Sequence, residues 1–186
     1  MARQQLFAEL MWLNVPTLNS GQYIFRASQF IVRTWRSNGL ATYLSSDRTS
    51  FYKIFHVTSG RGLLVASSQC YFLKAGDVAF IQPDEPVFLK VLSEDIDGHF
   101  CFVHPKFFRQ AGHVLDMFVR FPYAHSAPAV VPLDRGQSVE VGQSFEHMLR
   151  ESVGDHSDKK QAILLHLQMI LLKVRRAGSA PCQVPR

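Results

Sequence analysis

The residues best suited to proton transfer or metal ligation are the eight histidines, His56, His99, His104, His113, His125, His147, His156 and His166. Imidazole changes charge near neutral pH and offers a ligating nitrogen. Their spacing supports neither use, because no H-x-H and no H-E-x-x-H occurs to aim two rings at one ion. Serine, histidine and aspartate are all present, yet no G-x-S-x-G elbow presents a nucleophile on a sharp turn. Glu94, Asp95 and Asp97 stand together beside Gly98, and a solvated turn explains them better than two carboxylates dividing acid and base work. Cys70, Cys101 and Cys182 are far apart and odd in number. They argue against a disulfide framework and a thiolate zinc site, and for a reducing compartment.

The elements that would position such groups are β first and α afterwards. From about Gln22 to Val103, strand-sized runs rich in aromatic and β-branched residues alternate with turn formers. The runs begin at Tyr23, Phe30, Leu40, Phe51, Gly62, Tyr71, Val78, Val87 and His99, and the punctuation includes Ser59-Gly-Arg-Gly, Lys74-Ala-Gly-Asp and Pro83-Asp-Glu-Pro. Many short strands at this spacing predict a sandwich or a barrel. Beyond Pro105 the period changes. One or two short helices fit Phe107 to Val119, and Pro122 to Pro132 reads as an irregular crossing. A helix fits Ser138 to Val153 with Ser138 as its cap, and a second runs from about Asp158 to Gly178. That last helix is apolar on almost every side, so it needs cover from the barrel or a neighbouring helix and also from a second subunit. The residues expected to make the dimer contact are Leu164, Leu167, Ile170, Leu171 and Val174.

A chain of 186 residues, 47% hydrophobic and 19% charged, is long enough to bury a core and unlike disordered sequences. Its net charge of +5 is spread over scattered arginines, which reads as a solvated basic surface and not as a nucleic-acid footprint. No run of about 18 apolar residues would span a membrane. The start, with Glu9 inside its apolar stretch and no small-residue cleavage site, is a poor signal peptide. A cytoplasmic location is therefore expected. The expected divisions are an N-terminal helix or arm over 1–21, a barrel over 22–104, a helical dimerisation region over 105–178, and a linker over 179–186.

Two segments together carry a resemblance. Tyr52-Lys-Ile-Phe-His-Val-Thr-Ser-Gly-Arg-Gly and Phe72-Leu-Lys-Ala-Gly-Asp-Val-Ala-Phe-Ile-Gln-Pro-Asp-Glu-Pro-Val resemble the cupin core, and most of all the ligand-binding and dimerisation domain of AraC-type transcription regulators. Gly98-His-Phe-Cys-Phe-Val-His-Pro is similar to the last barrel strand of that family, and Leu164 to Arg176 to its leucine-rich helix. The implied fold is mainly β with C-terminal helices: a cupin-like double-stranded β-helix, or jelly-roll, barrel followed by an α-helical dimerisation hairpin. The implied partners are a small-molecule effector, a second copy of the chain, and DNA reached only through a C-terminal helix-turn-helix region that this chain does not include.

Placed on the enzymatic cupin pattern, the metal-ligand positions fall at about Asp47, Thr49, Lys53 and Val87. An ammonium and a valine do not ligate a divalent ion, so neither a metal nor another cofactor is expected and no catalytic residue is assigned. The same placement turns Lys53 inward, and strand alternation takes Phe51, Phe55 and Val57 with it and sends His56 to the opposite face. It also brings Val87, Leu89, Phe100 and Phe102 to the interior, with Tyr43, Trp35 and Arg33 offering polar contacts from a neighbouring strand. The candidate pocket is thus Lys53, Phe55, Tyr43, Trp35, Leu89, Phe100 and Phe102, suited to a flat or apolar ligand with an anionic or hydroxyl-bearing end. Two rival readings stand beside it. One is a barrel packed solid by the same phenylalanines. The other is a metal-independent isomerase or epimerase that uses Lys53 or a histidine as base.

Overall fold

The computed structural model describes residues 29–35, 42–45, 50–66, 69–108, 112–119 and 129–178. Nine strands lie among them: β1 Phe30–Thr34, β2 Thr42–Ser45, β3 Tyr52–Ser59, β4 Arg61–Ala66, β5 Gln69–Lys74, β6 Asp77–Ile81, β7 Val87–Val91, β8 Asp97–Val103 and β9 Ala129–Pro132. They form two antiparallel sheets, one ordered β1-β8-β3-β6-β9 and the other β2-β7-β4-β5. A 3₁₀ turn at Pro105–Phe108 and three helices follow the strands: α1 Gly112–Val119, α2 Arg135–Val153 and α3 Lys159–Gly178. This is a cupin-like jelly roll with helices at its C-terminal end. The expected arm at 1–21, the strand beginning at Tyr23 and the linker at 179–186 lie outside the described residues.

Burial explains why the central strand reads as an unbroken apolar run. From Tyr52 to Val57 every residue of β3 is buried, because one face meets the opposite sheet and the other meets the helices. At the edge of the smaller sheet, most of β5 is exposed and only Leu73 is buried. The return from β3 to β4 passes through Gly60 at φ 73, where an added Cβ would sit 2.5 Å from the Cα of Ile96. Gly98 is tighter still. It lies at φ 151 beside a register shift in the β3–β8 ladder, and a Cβ there would come within 2.0 Å of the His56 carbonyl oxygen.

Three expectations are corrected. The stretch from Pro122 to Pro132 contains β9, which pairs with β6 through Val130 and Val131. The sheet therefore reaches past residue 104 into the span expected to be helical. Asp134, not Ser138, caps α2. Its side chain accepts from the Gln137 backbone N–H, and the Gln137 side chain accepts in return from the backbone N–H of Asp134.

The third correction concerns α3. Leu164, Leu167, Ile170, Leu171 and Val174 are all buried within the protomer, packed with Val141, Phe145 and Met148 of α2 and with Ile54, Val78 and Cys101 of the larger sheet. A hairpin laid on a sheet consumes the widest apolar face of its helix, at roughly 1.5–3 kcal/mol per buried side chain. The narrower stripe left outside is Leu165 and Met169, 52% and 45% exposed, with Leu172 half-buried beside them.

Candidate functional site

The inner faces of the two sheets enclose one apolar cluster, and β3 runs through its middle. Lys53 is flanked across the ladder by Ile81 of β6 and Phe102 of β8, and Phe55 by Ala79 and Phe100. From the smaller sheet come Leu64 and Leu89, paired across β4 and β7, and Leu73 of β5. Trp35 follows β1 and closes the cluster edge-on to Phe55, with ring centroids 6.3 Å apart. Phe55 and Phe102 meet at 5.8 Å, and Phe100 and Phe102 at 5.3 Å. Of the seven pocket candidates, Lys53, Phe55, Trp35, Leu89, Phe100 and Phe102 thus occupy one interior. The side chain of Tyr43 lies outside the described residues, although its backbone is in β2 opposite Leu89. Arg33 turns to its own strand, donating to the Val32 carbonyl.

Lys53 is the polar exception in this interior and is 1% exposed. Its Nζ donates to the Glu85 carbonyl oxygen at 3.3 Å, in the turn between β6 and β7. Burial pushes the amine down to about 8, against the opposing pull of the Glu85 and Asp84 carboxylates. Glu85 also bears on Tyr71, whose hydroxyl is pushed up mainly by burial and further by that carboxylate. Sequence reasoning had not joined Tyr71 and Glu85 to Lys53. The signal was faint: Tyr71 shares its strand parity with Leu73, and Glu85 sits in a turn whose direction only the fold sets.

The other face of the same strands holds a second polar group. His56 and His99 pair across β3 and β8 and stack at 5.7 Å, and both rings stack on Phe145 of α2. Nε2 of His56 is 2.9 Å from Ser138 Oγ, and Nε2 of His99 is 2.8 Å from Glu146 Oε1. Neither Nδ1 has a partner among the described residues. Burial, and then the neighbouring His99, hold His56 down at about 3, so it is neutral at physiological pH. The ring faces the helices, as strand alternation requires. One hydrogen bond links the two faces: Trp35 Nε1 donates to the His99 carbonyl oxygen at 3.1 Å.

Among the described residues, no three His, Cys, Asp or Glu side chains are grouped to hold a metal ion. Asp47 and Thr49 lie outside those residues. The chemistry available is that of an apolar, aromatic interior with one buried amine, and its frame is that of a cupin-like barrel.

The sequence matches the family described as the AraC-like ligand binding domain over residues 36–171. The chain belongs to that family. No curated protein matches it in sequence. Among solved structures it is similar to apo ToxT K231A from Vibrio cholerae strain SCE256, with a TM-score of 0.52 and 16% identity over 80% of this chain and 56% of that one. It therefore spans little more than half the length of that protein. Looser likenesses are the AraC-like transcriptional activator CuxR, at TM-score 0.41, 11% identity and coverage of 81% and 48%, and a cupin protein from Bacteroides fragilis, at 0.32, 18%, 43% and 70%.

Proposed function

We propose that this chain is the effector-sensing and dimerisation part of an AraC-type transcription regulator. A small molecule with a flat or apolar body enters the barrel, and its anionic or hydroxyl-bearing end is oriented by Lys53. The observation that carries this reading is the amine itself. An ammonium has three donors, and among the described residues Lys53 uses one, on a long bond to Glu85, inside an aromatic wall. Leaving the others unmet is costly, and an acceptor on a ligand would satisfy them.

The output is a shift in the helical layer. A ligand against Trp35 and Phe100 touches the residue bonded to the His99 carbonyl, and the His99 ring engages Glu146 and Phe145 of α2. Occupancy can bias the setting of α2 and α3 only as far as the ligand binds two settings with different affinity. We assign the dimer contact to the outer stripe of α3. Ala162, Leu165, Met169, Leu172 and Arg176 recur at alternating steps of three and four, the spacing of a two-helix seam. Through that seam the domain would control a helix-turn-helix region beyond these residues, in the cytoplasm, with no turnover of the effector. No helix among the described residues is long and apolar enough to cross a membrane.

The test is thermal denaturation against a panel of fatty acids, aromatic acids, phenols and sugars. Stabilisation by acids or phenols that is saturable, and lost in Lys53→Met, is the expected result. A panel without effect on a folded protein would leave the solid barrel as the better account. Conversion of any member to product would favour the isomerase.

A further inference from the structure

We propose that Lys53 can hold its effector covalently, as a reversible imine formed between Nζ and an aldehyde or ketone carried on an apolar body. The inference rests on the barrel being the sensing site and names a chemical class of effector for it.

The placement of the amine is that of a nucleophile. Phe51, just before β3, and Phe55 within it bracket Lys53 along the chain, and Ile81 and Phe102 bracket it across the ladder, so the side chain is held away from bulk water. Its Nζ reaches the Glu85 carbonyl oxygen in the turn between β6 and β7, where Asp84 is exposed at φ 62 and Glu85 is half-buried. Lysines activated for attack on carbonyls are those desolvated in apolar pockets, where the neutral form is populated near neutral pH. The downward shift of this amine agrees with the geometry.

The step balances without any further reactant. The Nζ lone pair attacks the carbonyl carbon, a C–N bond forms, and the carbonyl π pair moves to oxygen, which takes a proton. The nitrogen then expels that oxygen as water and C=N replaces C–O, so amine plus aldehyde becomes imine plus water. Losing the oxygen as water needs a proton donor and the attacking nitrogen must shed a proton. Glu85 and Asp84 are the carboxylates that act on the amine, and Tyr71, whose hydroxyl donates to Gln69, acts in turn with Glu85. An imine also accounts for a buried amine better than packing alone, since the hydrocarbon stem would serve equally well as methionine.

The test is reductive trapping. The 186-residue chain is incubated at pH 7 with cinnamaldehyde and sodium cyanoborohydride, then read by intact mass and peptide mapping. Labelling of Lys53 at least about tenfold faster than the exposed Lys90 supports the proposal, provided that it disappears in Lys53→Met and persists in Lys90→Met. Lys53→Arg, which keeps the cation but cannot form an imine, guards against a folding defect in the methionine variant. Labelling confined to exposed lysines at rates unchanged by Lys53→Met overturns it. If cinnamate still stabilises the wild-type chain in that case, the barrel remains a sensing site and only the imine falls. If neither compound acts, both readings fall.

Discussion

At the scale of single residues, Lys53 and His56 are buried titratable groups on opposite faces of β3, and burial disfavours the charged form of each. The amine of Lys53 sits at about 8, below its ordinary 10.5, so folding favours its neutral form. Its destabilising effect is absent above pH 10.5, grows as pH falls toward 8, and is complete below. Lys53→Met should therefore raise the melting temperature at pH 7, by about 1–3 kcal/mol of stability, while abolishing stabilisation by acidic or phenolic ligands. Paired melts with and without ligand measure both effects, and a variant less stable than wild type would show that the ion is well satisfied. His56 works the same way at acid pH. Held down at about 3 against an ordinary 6.5, it keeps its full stabilising contribution above pH 6.5 and loses it progressively below. Between pH 7 and pH 5 the loss should be about 2 kcal/mol. Equilibrium urea unfolding at the two pH values, repeated on His56→Phe, measures it. The variant should show a flatter profile, since phenylalanine retains the stack on Phe145 and cannot be protonated; His99 and Glu146 remain as the other titratable groups of that junction.

At the scale of elements, backbone geometry and caps decide more than propensity does. Gly98→Ala forces a Cβ into the carbonyl oxygen of His56 across the β3–β8 ladder, a place where no flexible side chain can yield. The expected cost exceeds about 3 kcal/mol, and urea unfolding should find the variant largely unfolded or strongly shifted. Asp134→Ala is the milder counterpart. It removes the side-chain acceptor for the Gln137 N–H at the start of α2 and should cost about 1 kcal/mol, with the α2–α3 hairpin still formed. The cap also fixes the start of α2, whose first turns carry Ser138 against His56 and place Gly142 beside the paired histidine rings. A Cβ at Gly142 would stand at ordinary contact distance from the two rings, 3.6 Å from His56 and 3.8 Å from His99, and Phe145 stacks on both of them.

At the scale of the whole molecule, the question is which apolar surface serves the fold and which serves assembly. Leu167 is fully buried between hairpin and sheet, so Leu167→Ala should cost about 2–5 kcal/mol of stability. Leu165→Glu combined with Met169→Glu changes only the outer stripe. The pair should leave the melting temperature within a few degrees of wild type and convert the proposed dimer to a monomer by sedimentation equilibrium. An assembly indifferent to this double substitution would place the dimer contact elsewhere. The same experiment bears on signalling, since the stripe lies on the helix paired with α2, which reaches the barrel through Glu146, His99 and the bond from Trp35.

The strands β1 to β8, the turns and both long helices were legible in the residues, because aromatic and β-branched runs punctuated by Gly, Pro and Asp leave few local alternatives. Strand parity also separated Lys53 and Phe55 from His56, since alternation follows from backbone geometry alone. Partnership was not legible. The helix spanning Leu164 to Val174 is apolar all round, and no periodicity tells which face meets its own sheet; packing reserved the wider face for the protomer and left Leu165 and Met169 outside. The proximity of Glu85 and Tyr71 to Lys53, the stack of His56 and His99 beneath Phe145, and the recruitment of β9 likewise join segments remote in the chain. Local composition encodes what a segment can become, whereas which segments meet is set by the closure of two sheets around a shared interior, and that exists only in three dimensions.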